Sequence, residues 1–173
     1  MSSIIRFFVL FSAVLLVACG SAPESKVDLQ EEENKALVRL IFEEIGNKGN
    51  LDLIDKVYDA NYVKCRNGEI VKESYEEQKQ KSAIYRKAFP DGHQKIEDMV
   101  AEGDKVAFRW TFTGTHTGEL MGIPPTGVQV KMTGITIYRI TNGKVVEGWL
   151  NSDRLGVMQQ LGVIPPIGQQ GED

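Results

Sequence analysis

Val106-Ala107-Phe108-Arg109-Trp110-Thr111-Phe112-Thr113 sets a large apolar side chain at every even position and a smaller or polar one between. Successive side chains of a strand point to opposite faces, so this period of two predicts a strand with one buried face. Residues 93–102 read as the strand before it, joined through the turn Glu102-Gly103-Asp104. After it comes a loop over residues 114–127 that holds His116, Pro124 and Pro125, then a long strand over 128–140. Its apolar residues are Val128, Val130 and Met132 before Gly134, then Ile135 and Ile137. That slip of one residue predicts a bulge or sharp bend at Gly134. Asn142-Gly143 is a two-residue hairpin signal leading into residues 144–150. Residues 153–161 read as a short helix, and Pro165-Pro166 opens a loose tail.

Upstream of Gly92 the period is helical. Leu37, Val38, Ile41, Phe42 and Ile45 recur every three or four residues, which predicts an amphipathic helix over residues 31–47. Glu31-Glu32-Glu33 suits the positive end of its dipole, and Gly46 and Gly49 stop it. A short second helix is expected over 51–58 with Asn50 as its cap, and a third over 75–89 that ends at Pro90-Asp91-Gly92. Helices first, then long antiparallel strands, then a terminal helix make an α+β domain. A sheet curved by such a bend leaves a pocket under the helices, mostly apolar with a few polar groups.

The N-terminus reads differently. Arg6 precedes an apolar run from Phe7 to Val17, and Leu16-Val17-Ala18-Cys19 closes it. The run is too short for a membrane span and has a signal-peptide layout. It resembles the lipobox of bacterial lipoproteins, which implies removal of residues 1–18, acylation of Cys19 and membrane attachment in the cell envelope. Residues 19–30 are then the lipidated cysteine and a flexible tether, 31–165 the domain and 166–173 the tail. Gly20 is not the aspartate that holds many lipoproteins in the inner membrane, so the outer membrane or cell surface is expected.

The chain has 20 basic and 24 acidic residues, and loss of Arg6 takes the net charge from −4 to −5. With no basic run, nucleic acid is not an expected partner. Two histidines, His93 and His116, and no Cys-x-x-Cys pair argue against a zinc or iron site. No phosphate-binding Gly-x-x-x-x-Gly-Lys loop or Gly-x-Ser-x-Gly elbow is present. Once Cys19 carries lipid, Cys65 is a lone thiol, read as structural.

From Phe89 onward the chain resembles the SnoaL-like polyketide cyclase or ester cyclase family. The blocks that carry this include Phe89-Pro90-Asp91, Arg109-Trp110, Gly114-Thr115-His116-Thr117-Gly118-Glu119, Gly122-Ile123-Pro124-Pro125-Thr126-Gly127, Gly143-Lys144-Val145-Val146-Glu147-Gly148-Trp149 and Asp153-Arg154-Leu155-Gly156. The resemblance covers residues 35–163. It implies the nuclear-transport-factor-2-like fold, a cone-shaped, strongly curved, mainly antiparallel sheet with helices on its concave side enclosing a pocket. It also implies acid–base ring closure on a polyketide ester without metal or organic cofactor, and a homodimer. Such chemistry needs a desolvated carboxylate aimed at a carbon acid, together with stabilisation of the enolate oxygen.

The resemblance carries the catalytic aspartate over to Asp153, which is equally placed to cap the following helix. His116, at the end of the best strand, suits proton shuttling or ordering of its loop. Trp110, Tyr138, Glu147 and Trp149 are the expected ligand contacts, with core packing as the rival role for the aromatic residues and a paired structural charge as that for Glu147. By alternation Glu147 shares a face with Val145 and Trp149, and Arg109 opposes Trp110, where it pairs with a neighbouring strand or lies in a dimer interface. Many relatives carry a histidine where this chain has Thr136 and an acidic residue where it has Leu150. Three functions follow as expectations: a cofactor-free cyclase, isomerase or hydrolase acting on a small hydrophobic carbonyl compound; a lipoprotein that binds a small hydrophobic molecule without turnover; or a scaffold.

Overall fold

The computed structural model describes residues 26–66 and 68–165. The expected signal peptide, Cys19 and the tail over 166–173 lie outside them. The first helix, α1 (Lys26–Leu40), starts earlier than the sequence suggests and takes in the end of the expected tether. Asp28 occupies its first turn, while the Glu31-Glu32-Glu33 run lies further along the helix. Glu31 accepts the Gly103 N–H at 2.8 Å, and the buried Asn34 donates to the Gly103 carbonyl at 3.2 Å, pinning α1 to a strand turn far along the chain. The helix then widens into a π-helical stretch, Ile41–Asn47, that buries Ile41 and Ile45. Asn47 fastens its end by accepting the Gln94 N–H at 2.7 Å and donating to the Gln94 carbonyl at 3.0 Å.

A 3-10 turn, Leu51–Leu53, and a one-turn helix, α2 (Ile54–Val57), follow without a side-chain cap from Asn50. Next come β1 (Tyr58–Arg66) and β2 (Glu69–Lys72), a pair absent from the sequence reading. Helix α3 (Tyr75–Ala88) begins with a reciprocal cap: Ser74 accepts the Glu77 N–H, and Glu77 accepts the Ser74 N–H at 2.7 Å. The remaining elements are β3 (His93–Glu102), β4 (Lys105–Thr115), β5 (Gln129–Thr141), β6 (Lys144–Ser152) and α4 (Arg154–Gln160). The strands form one open sheet, β2-β1-β6-β5-β4-β3, antiparallel except for the β1–β6 pair. This is the α+β fold expected, with α1 and its π-helical extension packed on β3 and β4.

Inward-facing residues of β4 are Val106, Phe108, Trp110 and Phe112, all buried. Beside them β5 turns Val130, Met132, Gly134, Thr136, Tyr138 and Ile140 inward. The expected bulge at Gly134 is not there. Pairing with β4 runs unbroken from Lys105–Arg139 to Thr115–Gln129, and Ile135, more than half exposed, points to the far side. Gly134 is a close-approach position: a Cβ there would lie 2.3 Å from the Trp110 ring and 2.9 Å from the Asn151 carbonyl. The indole sits over the bare backbone and donates from Nε1 to the Thr136 hydroxyl at 3.0 Å. The apolar phase slips in the sequence because the inward positions after Met132 are a glycine and a threonine, not because the strand does.

The irregularity lies one strand over. Between Arg139 and Ile140 of β5 the partner on β6 jumps from Glu147 to Val145, so Val146 is an extra residue. Alternation resumes in the opposite phase. Val145 faces the core, but so do Gly148, Leu150 and Ser152, while Glu147 and Trp149 turn outward.

Gly134→Ala is expected to cost about 2 kcal/mol or more through overpacking against a rigid ring. Chemical denaturation of the variant checks this, and an unchanged midpoint refutes it.

Candidate functional site

Between the inner face of the sheet and the helices lies a cavity of about 500 Å³. Aromatic side chains make most of its wall, among them Phe42, Tyr85, Phe89, Trp110 and Phe112. Edge-to-face contacts hold several in place, with Phe42 on Phe108 at 5.3 Å and Phe89 on Phe112 at 5.4 Å. Tyr58, Tyr62 and Tyr138 bring hydroxyls to the same wall. Gly148 makes room for them, since a Cβ on it would lie 2.5 Å from the Tyr62 hydroxyl and 3.0 Å from the Tyr138 ring. The hydroxyls of Tyr58 and Tyr138 are 3.1 Å apart and share a hydrogen bond. Burial raises the Tyr58, Tyr62 and Tyr138 phenols above their ordinary value, so at neutral pH they are hydrogen-bond donors.

Behind the tyrosines is a charged cluster. Glu73, 4 % exposed, accepts from Lys64 at 3.1 Å and from Lys81. A polar side chamber of about 130 Å³, lined by Tyr62, Lys64, Glu73, Gln78 and Lys81, shares its tyrosine and lysine walls with the main cavity. Burial pushes the Glu73 carboxyl up, but the Lys64 and Lys81 ammonium groups outweigh it, and the group sits below its ordinary value. For Lys64 burial wins: its single carboxylate partner does not offset desolvation and the repulsion of Arg66 and Lys81, so it is shifted toward the neutral amine. Among the described residues no group of three or more histidine, cysteine or acidic side chains is arranged to hold a metal.

The sequence profile of the SnoaL-like polyketide cyclases matches residues 36–161. The chain belongs to this family. No protein of curated function matches the sequence. Among solved structures, AclR from Streptomyces galilaeus, a candidate hydroxylase, is 32 % identical with a TM-score of 0.71, over 80 % of this chain and 87 % of that one. A candidate polyketide cyclase from Acidithiobacillus ferrooxidans is also 32 % identical, with a TM-score of 0.68 over 75 % of this chain and 94 % of its own. IdmH from Streptomyces antibioticus, another candidate polyketide cyclase, is 29 % identical with a TM-score of 0.66, over 75 % and 99 %.

Within this SnoaL-like domain the residues singled out by sequence are dispersed. Trp110 and Tyr138 line the cavity. Glu147 and Trp149 do not: the extra residue at Val146 sends them to the outer face, where Arg139 donates to Glu147 at 2.9 Å and lies 5.6 Å from the Trp149 ring. Arg109 is on that outer face too, paired with Asp98 of β3 at 2.7 Å. Asp153 caps α4, its exposed carboxylate accepting the Gly156 N–H at 2.8 Å. His116 is fully buried behind the wall, tilted against Phe89 at 5.3 Å. Its Nδ1 accepts the Thr126 N–H at 3.3 Å and lies 3.1 Å from the Thr126 hydroxyl, which ties down the loop over 117–127. Cys65 is half-buried, on the face of β1 away from the cavity.

The residues missed are those of β1: Tyr58, Tyr62, Lys64 and Arg66, with Glu73 and Lys81 from the neighbouring elements. Part of a signal was available, since Tyr62, Lys64 and Arg66 follow a period of two with polar ends facing inward, while Tyr58 lies across a register shift from Val63.

Glu73→Gln is expected to destabilise the domain by about 2 kcal/mol at neutral pH, less than for a fully buried pair because Lys81 is half-exposed. Since the folded carboxyl lies below its ordinary 4.5, the charged form stabilises the fold above that value, and the benefit is lost as pH falls through the lower folded value. The gap between wild type and variant, read by urea unfolding, is therefore expected to close in the acid range. A gap independent of pH would refute the assignment. His116→Ala, which leaves the Thr126 N–H and a cavity behind Phe89, is expected to cost about 2 to 3 kcal/mol. Thermal unfolding reads this out, and a midpoint within a degree of wild type would be the contrary result.

Proposed function

We propose that this protein is a cofactor-free, cyclase-type acid/base enzyme that takes a small, mostly apolar, enolisable carbonyl compound into the cavity. The observation that carries this reading is the meeting of the paired Tyr58 and Tyr138 hydroxyls with Lys64 on one wall of an aromatic cavity. Phenols held protonated by burial suit donation to a carbonyl oxygen that becomes an enolate. Burial loosens the hold of the Lys64 ammonium on its proton, which suits proton exchange with the substrate, and Glu73 with Lys81 fixes its position. Asp153 and His116 then act on the fold, as helix cap and loop anchor. Membership of the family and the likeness to cyclase candidates support the reading.

The rival reading is a binding protein that uses the same cavity without turnover. One observation favours it: among the described residues no aspartate or glutamate lines the main cavity. We further propose that Cys19 carries lipid and tethers the domain in the cell envelope, on the strength of the Leu16-Val17-Ala18-Cys19 motif. Metabolic labelling with a fatty acid is expected to mark the wild type and not Cys19→Ser, and label retained in that variant would sink the proposal.

Turnover on a panel of β-keto acids, their esters and conjugated ketones separates the two main readings. Under the enzyme reading Tyr138→Phe lowers kcat by about a hundredfold, as for loss of one oxyanion donor, while the fold survives. Saturable binding without turnover in the wild type would overturn catalysis and leave the binding protein.

A further inference from the structure

The cavity is cationic in a chain that is acidic overall. Lys64, Arg66, Lys81, Arg86 and Arg154 line it, while the net charge of the protein is −4. Three of the five cations have protein partners. Lys64 and Lys81 share Glu73, and Arg86 donates to the carbonyls of Gly46 and Asn47 at 3.1 Å, closing the end of the first helix. The side chains of Arg66 and Arg154 make no hydrogen bond or ion pair with any described residue. The Nε of Arg66 is fully shielded from solvent and has no acceptor among the described residues.

Topology puts the two arginines at the same end of the sheet. Strands β1 and β6 run parallel, so their last residues lie at one end of the sheet, and Arg66 pairs with Leu150. Two residues on, Ser152 also faces the cavity, and Arg154 follows at the start of α4. The tyrosines lie further from that end, Tyr138 of β5 opposite Gly148 and Tyr58 of β1 opposite Val145. From one end to the other the cavity therefore offers two free guanidinium groups, an aromatic sleeve and a pair of phenols.

We infer that the ligand of this cavity is a planar, unsaturated carboxylate, its anionic group held by Arg66 and Arg154 and its flat body lying among the aromatic side chains. Guanidinium presents a planar fork that matches a carboxylate with two parallel hydrogen bonds, and such charge-assisted bonds are the strong ones. The wall that these bonds lean on is shielded, so solvent screens them less than at an open surface. The inference rests on the reading that the cavity is the ligand site. It names what that reading leaves open: the ligand carries a charge, and an ester or amide of it binds worse.

Isothermal titration calorimetry of the full chain with 2-naphthoate and with its neutral isostere 2-naphthamide tests this. The naphthoate is expected to bind about tenfold more tightly, the yield of one good charge-assisted contact. In the double variant R66Q/R154Q the ratio of the two dissociation constants is expected to fall to about one, with near-UV circular dichroism confirming that the fold is kept. Equal affinity for both probes in the wild type, or a ratio unchanged in the double variant, would overturn the inference while leaving the cavity a ligand site. Binding of neither probe would overturn it as well, and the turnover panel then judges the enzyme reading separately.

Discussion

Side chains alternate across a strand, so one inserted residue exchanges the two faces of everything beyond it. The extra residue at Val146 does this in β6. Before it, Val145 seals the core under β1; after it, Gly148, Leu150 and Ser152 face the cavity and Glu147 and Trp149 face away. The cavity depends on that exchange. Without it an indole and a carboxylate would project into the space where the Tyr62 hydroxyl and the Tyr138 ring now crowd against a bare Gly148 backbone. The charge of the interior follows: a carboxylate is moved outward to Arg139, and cations dominate inside.

Two glycines on neighbouring strands serve one purpose in this arrangement. Gly134 receives the Trp110 ring and Gly148 receives the tyrosines, so large aromatics lie flat along the sheet instead of standing across the cavity. The space survives because its walls are rigid: the Trp110 indole is held by Thr136, and Tyr58 and Tyr138 hold each other. A preformed, partly polar site of this kind spends little binding energy on ordering its own side chains.

Much of the fold was legible because the clear periodicities run where packing is one-sided. The strand over His93–Glu102 and the helix around Val38, Ile41 and Ile45 follow directly from spacing. The β1–β2 pair was not legible. Its inward positions carry tyrosines, a lysine and an arginine, so the segment lacks an apolar stripe, and β2 is exposed on all its residues. A strand that faces a cavity with polar side chains hides from a hydrophobicity reading for the same reason that it matters to the site. Register is the other blind spot. Val145, Glu147 and Trp149 share a face by counting, and only pairing against Arg139 and Ile140 shows that they do not. Asp153 and His116 are the usual polar types of an acid/base site, yet a backbone cap and a buried loop anchor ask for the same residues.

The lone parallel pairing between β1 and β6 also governs the order of assembly. Strand β1 is synthesised early, but its inner partner is β6, almost at the end of the domain, with the β3–β4–β5 meander between them in sequence. Closing so long a loop is entropically costly until the intervening strands have condensed. The hairpins that bury Phe108, Trp110 and Phe112 can form locally, whereas the β1–β6 pairing spans more of the chain than any other pairing in the sheet. The half of the cavity that carries Lys64, Arg66 and two of the three tyrosines thus bears the largest loop-closure cost of the sheet, and its polar wall needs the end of the domain in place.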